Sequence, residues 1–425
     1  MKRLFMGVLI VAMVLLSCQK SNKGAAAKSA SGSEPVTISY GIWDDSFKPF
    51  LEKIITSFEA DNPNIKVDMQ VVPWGSYWAK LQTALSGGQA WDVFWINAPY
   101  FPTYQKYGVA ASLADDYRAA GVSFSDFPQA LVDMYQVNGE PYTLPWFFDT
   151  VVFYYNKKRF ADAGVDFPNA NWTLDDVAAV GEQLTEGENK WGVYANISSQ
   201  SMWGWIFSNG GEVFRDGGMK IAYTEPAARE VWQKLYDMVE MGSSPAPAVI
   251  QAGGGDSAIR SMLINGNFAM LNSGSWSYAT LSKEMGDNLG VAPLPAAGPA
   301  KERKTILHGL GHIAYAKSAN LAAAKKFAVY MTSPQAQEII AKANSVMPAY
   351  QPALDIWVQN FAKPDDAEVL SDAGKAMPYP VAKTGGLDWD GRATEIIQDV
   401  FNGNIPFDAG LTQAVEEANQ VIAEQ

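Results

Sequence analysis

Val36 to Ile42 reads as an opening strand, and the apolar positions that follow change their period. Phe47, Phe50, Leu51, Ile54, Ile55 and Phe58 fall at three- and four-residue spacing, which predicts an amphipathic helix. Asp61-Asn62-Pro63-Asn64 breaks that helix, and Ile65, Val67, Met69 and Val71 alternate as a strand. A second helix is predicted over Tyr77 to Leu85, ended by Gly87-Gly88, and Asp92 to Ile96 reads as a buried strand. This order implies a parallel sheet with right-handed crossovers. Ligands of such sheets sit beyond the carboxyl ends of the strands, and Trp43-Asp44-Asp45 and Asn97 lie at two of those ends.

A second α/β segment follows. Val151 to Tyr155 reads as a strand and Thr173-Leu174-Asp175-Asp176 as a capped helix start. Pro226 to Met241 carries Val231, Leu235, Met238 and Val239 on one helical face. Phe268 to Leu271 is a short strand running into Gly274-Ser275-Trp276, and His308 to Tyr315 is another. Asn320 to Met331 reads as an Ala-rich helix, Ser333-Pro334 restarts a helix, and the tail is helical over Thr394 to Phe401 and Leu411 to Ile422. Chain crossings between two halves are expected near residues 146–151, 293–303 and 346–352.

The chain's beginning has a different pattern. Lys2 and Arg3 precede an apolar run from Leu4 to Leu16, too short for a membrane span and suited to a secretory leader. Leu15-Leu16-Ser17-Cys18 ends it and resembles the lipobox of bacterial lipoproteins, which implies a leader over residues 1–17 and lipidation of Cys18. Residues 18–34, rich in Ser, Ala, Gly and Lys, cannot bury enough surface to fold and read as a flexible tether. Some 390 residues remain, a length that suggests two domains. Cys18 is the only cysteine, so no intramolecular disulfide is possible.

The formal charge is −13; the first 34 residues carry a net of +4, which leaves the body at −17. Such a body argues against nucleic acid, whose binding needs a basic face. The 14 tryptophans favour flat apolar faces presented to a ligand. Enzyme and metal readings fare badly. His308 and His312 are the only histidines, the two glycines of His-Gly-Leu-Gly-His oppose a helix, and no glutamate stands between them. Gly-x-Ser-x-Gly and phosphate-loop patterns are missing. No catalytic residue, metal site or cofactor is expected.

Phe58-x-x-Asp61-Asn62-Pro63-Asn64-Ile65-x-Val67 precedes Val72-Pro73-Trp74, Lys80-Leu81, Ala84-Leu85 and Asp92-Val93. Leu144-Pro145-Trp146, Asp149-Thr150, Tyr154-Tyr155-Asn156-Lys157, Asn209-Gly210-Gly211, Ala269-Met270, Gly274-Ser275-Trp276 and Pro293-Leu294-Pro295 follow in order. This ordered set closely resembles the sugar-binding lipoproteins of ABC importers, in the maltose-binding-protein-like group of extracellular solute-binding proteins, family 1. The resemblance implies an α/β, two-lobed periplasmic-binding-protein fold (type II). Each lobe would be a mainly parallel sheet flanked by helices, with the ligand in the cleft between lobes. Residues 35–148 plus 301–348 would form the N-terminal lobe, and 149–300 plus 349–425 the C-terminal lobe. A monomer, lipid-anchored on the periplasmic or cell-surface side of a bacterial membrane, would hand a mono- or oligosaccharide to the permease subunits by hinge closure.

A sugar offers hydroxyls at its edge and C–H faces above and below, so carboxylates, amides and aromatic rings are its natural partners. By resemblance, Asp149 binds a sugar hydroxyl at the crossing between lobes, with a hinge-bracing carboxylate as its rival reading, and Trp276 stacks on the sugar. Trp43 faces the cleft with either Asp44 or Asp45, and Asn97 stands where relatives often place an aspartate. Trp203 or Trp205 faces ligand unless both are core. Gly311 and His312 fall in a Gly-rich strand end that approaches sugar in the family, with a core histidine as the rival reading of His312. Trp389 and Arg392 follow Gly385-Gly386, the guanidinium able to fork onto ring hydroxyls, with packing of the last helix as the alternative. Two other functions compete: the same architecture around a non-sugar solute such as glycerol phosphate, and a secreted carbohydrate-active enzyme.

Overall fold

The opening alternation of apolar residues folds into a parallel unit. β1 (Val36–Ile42) lies between β2 (Ile65–Val71) and β3 (Val93–Asn97), in a register that runs from Val36 opposite Ile65 to Ile42 opposite Val71. The computed structural model describes residues 35–424 apart from 255, 299–301, 362, 372–375 and 383–387. The leader, Cys18 and the tether are outside the described residues, as are Gly385-Gly386 and part of the 293–303 crossing.

α1 (Lys48–Asp61) buries Phe50, Leu51, Ile54, Ile55 and Phe58, the stripe its spacing predicts. α2 (Trp74–Ser86) begins three residues before the expected Tyr77, directly after Pro73, whose fixed φ suits the residue before a helix. Further on come β4 (Phe147–Asn156), β5 (Trp191–Tyr194), β6 (Phe268–Gly274), β7 (Leu289–Pro293) and β8 (Thr305–Ala314). α3 (Leu174–Gln183) starts on a capping box: the Thr173 hydroxyl accepts from the Asp176 backbone N–H, and the Asp176 carboxylate accepts from the Thr173 N–H at 2.7 Å. α4 (Ser199–Ser208) and α5 (Pro226–Glu240) belong to the same half; α6 (Leu321–Tyr330), α7 (Pro334–Ala343), α8 (Gln351–Gln359), α9 (Asp388–Phe401) and α10 (Phe407–Glu424) complete the chain.

The strand order is β2-β1-β3-β8-β4-β6-β5. β1, β2 and β3 are parallel, as are β5 and β6, whereas the long strands β4 and β8 run antiparallel to their neighbours in this order; β8 also pairs in parallel with Ala376–Pro378 at its start. All ten residues of each long strand are buried, so neither shows the alternation that would reveal its length, and both begin earlier than the sequence suggests. Each changes partners midway. β4 pairs with β8 through Phe147–Thr150 and with β6 and β7 from Val151 onward; β8 pairs with β4 through Leu307–Leu310 and with β3 through Leu310–Ala314.

Two apolar cores result. α1, α2, α6 and α7 pack on the first, as does Trp357 of α8, and α3, α4, α5, α9 and α10 on the second. β4 sends Val152 and Tyr154 into the first core and Val151, Phe153 and Tyr155 into the second; β8 sends Ile306 into the second and Leu307, Leu310 and Ile313 into the first. Each apolar side chain contributes roughly 1.5–3 kcal/mol of burial, so both long strands are held on their two faces. Among the described residues, no helix is long and apolar enough to cross a membrane.

Candidate functional site

Where β4 meets β8, Asp149 and His308 are register partners, with Nδ1 2.9 Å from Oδ1. Both are buried, at 7% and 3% exposure, yet the angle falls outside hydrogen-bond geometry, and His308 Nε2 also has no protein partner. Three backbone positions hold this point. Thr150 N–H donates to Ser275 Oγ at 3.2 Å, Val151 N–H donates to Thr305 Oγ1 at 3.0 Å, and the Thr305 hydroxyl returns a bond to the Val151 carbonyl at 2.7 Å. Tyr135 reaches in from the first lobe, its hydroxyl lying 2.8 Å from the Gly309 carbonyl and 2.9 Å from that of Ile96. Burial, helped by the nearby Asp149 charge, keeps that phenol protonated well above its usual range.

Aromatic rings close round the pair. Trp276 stands edge-on to His308 at 5.3 Å and Tyr379 lies 5.2 Å from the same imidazole. Trp276 folds back over its own strand end because Gly274 lacks a side chain: a Cβ there would fall 1.8 Å from the indole. The Tyr379 hydroxyl is buried without a protein partner. Its ionisation is disfavoured first by burial and then by Asp390, Tyr100 and Tyr223. Asp390, at the start of α9, accepts a hydrogen bond from the Ser199 hydroxyl, and burial still pushes its carboxyl up to about 6.

The first lobe faces this with a shelf of half-buried rings. Trp43 packs edge-on against Trp74 at 5.1 Å and Trp95 at 4.9 Å, and Trp78 lies against Tyr100. Tyr100 packs against both cores and lies within electrostatic reach of Asp388 and Asp390. Among the described residues, no group of three or more His, Cys, Asp or Glu side chains could hold a metal ion.

The sequence-derived candidates divide. Asp149 and Trp276 belong to the polar and aromatic cluster, and Trp43 to the shelf. Asp44 is half-buried and tied down as a cap, its carboxylate accepting from the Ser46 N–H at 3.0 Å and hydroxyl at 2.7 Å, while Asp45 is exposed. Asn97 is buried and caps the turn Ala98–Tyr100, accepting from Ala98 N–H at 3.0 Å. Gly311 faces Thr143, which a Cβ would meet at 2.4 Å.

His312, fully buried, lies in the first core rather than at the cleft. Trp95 Nε1 donates to Tyr40 Oη at 2.6 Å, and that hydroxyl is hydrogen-bonded to His312 Nε2 at 2.7 Å. Burial depresses the imidazole to about 3, so the ring is neutral. Trp203 and Trp389, also fully buried, stack on one another at 6.0 Å in the second core, and Trp203 backs Tyr379 at 5.0 Å. Trp205 is equally buried, its Nε1 donating to the Pro295 carbonyl at 3.0 Å. Arg392 points outward, paired with Glu395 at 2.9 Å and Glu417 at 2.5 Å. The residues that sequence reasoning missed are His308, Tyr379, Trp78, Tyr100 and Asp390.

The chain belongs to the bacterial extracellular solute-binding protein family, whose model matches residues 42–338. It is 26% identical over 382 residues to the diacetylchitobiose binding protein DasA of Streptomyces coelicolor, covering 87% of this chain and 85% of that one. It is 22% identical over 436 residues to a maltooligosaccharide ABC transporter solute-binding lipoprotein of Streptococcus pneumoniae, covering 98% and 96%. A solved ABC substrate-binding protein of Listeria monocytogenes, in complex with cycloalternan, superposes with a TM-score of 0.82 at 26% identity, over 92% of this chain and all of that one. The fold is thus the α/β periplasmic-binding-protein fold of the maltose-binding type, and the protein is a non-enzymatic solute receptor of an ABC importer, working outside the cytoplasm.

Proposed function

We propose that the chain captures a mono- or oligosaccharide between its two lobes and delivers it to an ABC permease. One juxtaposition carries this reading: polar atoms of Asp149, His308 and Tyr379, buried without a protein partner, lie beside a half-buried Trp276, and Tyr379 is within electrostatic reach of Tyr100, which stacks on Trp78. Hydroxyls of a sugar satisfy the polar atoms and its C–H faces cover the rings. The relatives named for diacetylchitobiose, maltooligosaccharide and cycloalternan support the same class of ligand. Glycerol phosphate fits less well, because Arg392 faces away from the cluster and the fixed charge within it is the Asp149 carboxylate.

On this reading the lobes divide along β4 and β8, with residues 35–148 plus 301–348 on one side and 149–300 plus 349–425 on the other, except that α8 packs against α7 on the first side. Closure about β4 and β8 is a hinge motion driven by the ligand's preference for the closed form. The protein acts as a monomer, held at the membrane by a lipid on Cys18 and the tether behind it. A thermal-shift screen over mono-, di- and oligosaccharides, with glycerol phosphate alongside, tests the proposal. A ligand at a hundred times its Kd adds about 2.7 kcal/mol and raises the midpoint. Stabilisation by glycerol phosphate alone, or by no sugar, overturns it.

A further inference from the structure

We infer that His308, positioned by Asp149, is a specificity-determining residue that accepts a hydroxyl hydrogen bond from a neutral sugar and excludes sugars bearing a carboxylate or phosphate. The inference rests on the carbohydrate reading above and sharpens it to one class of saccharide.

The geometry fixes which nitrogen is protonated. Nδ1 stands 2.9 Å from the Asp149 carboxylate. In the neutral imidazole a bare lone pair on Nδ1 would oppose an oxygen lone pair at that distance, so the tautomer carrying its proton on Nδ1 is favoured. Nε2 is then an acceptor, and it is buried with no protein donor. Its surroundings supply none: Trp276 presents its ring edge-on and Tyr379 packs at 5.2 Å. Asp149 Oδ1 is a second acceptor lacking a properly aligned donor, and the Tyr379 hydroxyl is buried unpartnered in the same cluster. Among the described residues, Asp149 has no Lys or Arg ion-pair partner. The site therefore asks its ligand for O–H donors. A carboxylate or phosphate brings none and adds negative charge beside Asp149 and within range of Asp390.

The burial also argues against a purely structural imidazole. A buried nitrogen without a protein partner needs a donor from outside the chain, whereas a hydrophobic ring in its place would need none. Retaining an imidazole here is explained by a partner that arrives with the ligand.

The experiment uses the full-length chain in detergent at pH 7.5, read by intrinsic tryptophan fluorescence and calorimetry. Maltose, cellobiose, lactose and diacetylchitobiose are titrated beside maltobionate, cellobionate, lactobionate and chitobionate. The wild type should bind at least one neutral disaccharide tenfold or more tightly than its acid. His308→Phe should lose ten- to a hundredfold for the neutral sugar while its ligand-free melting temperature holds or rises, the size expected for one unpaired polar group. His308→Gln, whose amide can donate to Asp149 and still offer an oxygen, should stay within about threefold. Equal affinity for sugar and acid, or unchanged binding by a folded His308→Phe, overturns this inference and leaves the carbohydrate reading standing. Should His308→Phe fail to fold, the wild-type preference and the Gln variant decide. Failure of every sugar to bind overturns both.

Discussion

The indole of Trp78 lies on the phenol ring of Tyr100, with centroids 3.6 Å apart and planes inclined by 16°. One ring comes from α2 and the other from the turn after β3, so the stack joins two elements at the carboxyl edge of the first sheet. Tyr100 also packs against the second core. It therefore touches both cores, and in the proposed function it is a wall of the cleft.

Tyr100→Ala should weaken sugar binding about tenfold, chiefly through faster release, because a stacked ring and an interlobe contact are lost together. Tyr100→Phe keeps the ring and should bind within about twofold of wild type. Stopped-flow tryptophan fluorescence separates the rates; an Ala variant that releases sugar as slowly as wild type would contradict this role.

Two buried groups should tilt stability with pH in opposite directions. His312 falls from 6.5 to about 3 in the fold, so the unfolded chain binds the extra proton and stability rises with pH between those values. Asp390 rises from 3.8 to about 6, so the native state binds the extra proton and stability falls with pH over that interval. Each full proton is worth about 1.4 kcal/mol per pH unit, and between about pH 4 and 6 the two slopes oppose. Asp390→Asn removes the falling component, so its stability relative to wild type should climb by roughly 1–3 kcal/mol from pH 4 to 6. Urea unfolding at several pH values measures this, and a difference that stays flat with pH would refute the assignment.

A close approach of backbones should make one glycine irreplaceable. In β5, a Cβ on Gly192 would lie 1.9 Å from the Gly181 carbonyl oxygen of α3. Backbone cannot step aside as a side-chain tip can, so Gly192→Ala should destabilise by about 3 kcal/mol, near the top of the overpacking range. Gly181→Ala would meet Val193 Cγ1 at 2.9 Å, a side chain free to turn, and should lose only about 1 kcal/mol. Denaturant midpoints rank the two; equal losses would count against the backbone clash.

The sequence displays local order well and long-range register poorly. β1 and β2 occupy the expected residues because their alternation is local, and Thr173 announces its capping box within four positions. The sequence favours His312 over His308, although strand periodicity places both on one face of β8. The strand changes its pairing partner along its length, so the same face meets Asp149 at one position and Tyr40 four residues on. Only the β4–β8 register separates them, and no local pattern encodes it. Trp389 and Arg392 were legible in principle. A helix begun at Asp388 puts Trp389, Ala393, Ile396, Ile397 and Val400 on one buried stripe, with Arg392 and Glu395 paired outside it. Starting the helix at Thr394 hid that stripe.

The proposed lipid anchor separates address from recognition. The residues proposed to face sugar all lie beyond Pro35, whereas Cys18 stands at the end of the apolar run with a polar segment of Ser, Gly, Ala and Lys behind it. A Cys18→Ser protein should therefore leave the membrane fraction and appear in the soluble extracytoplasmic fraction, with sugar affinity unchanged within twofold. Fractionation with immunoblotting, followed by titration of the released protein, tests both halves. Retention of the Ser variant in the membrane would refute the anchor, and weakened sugar binding would show that the thiol contributes to more than attachment.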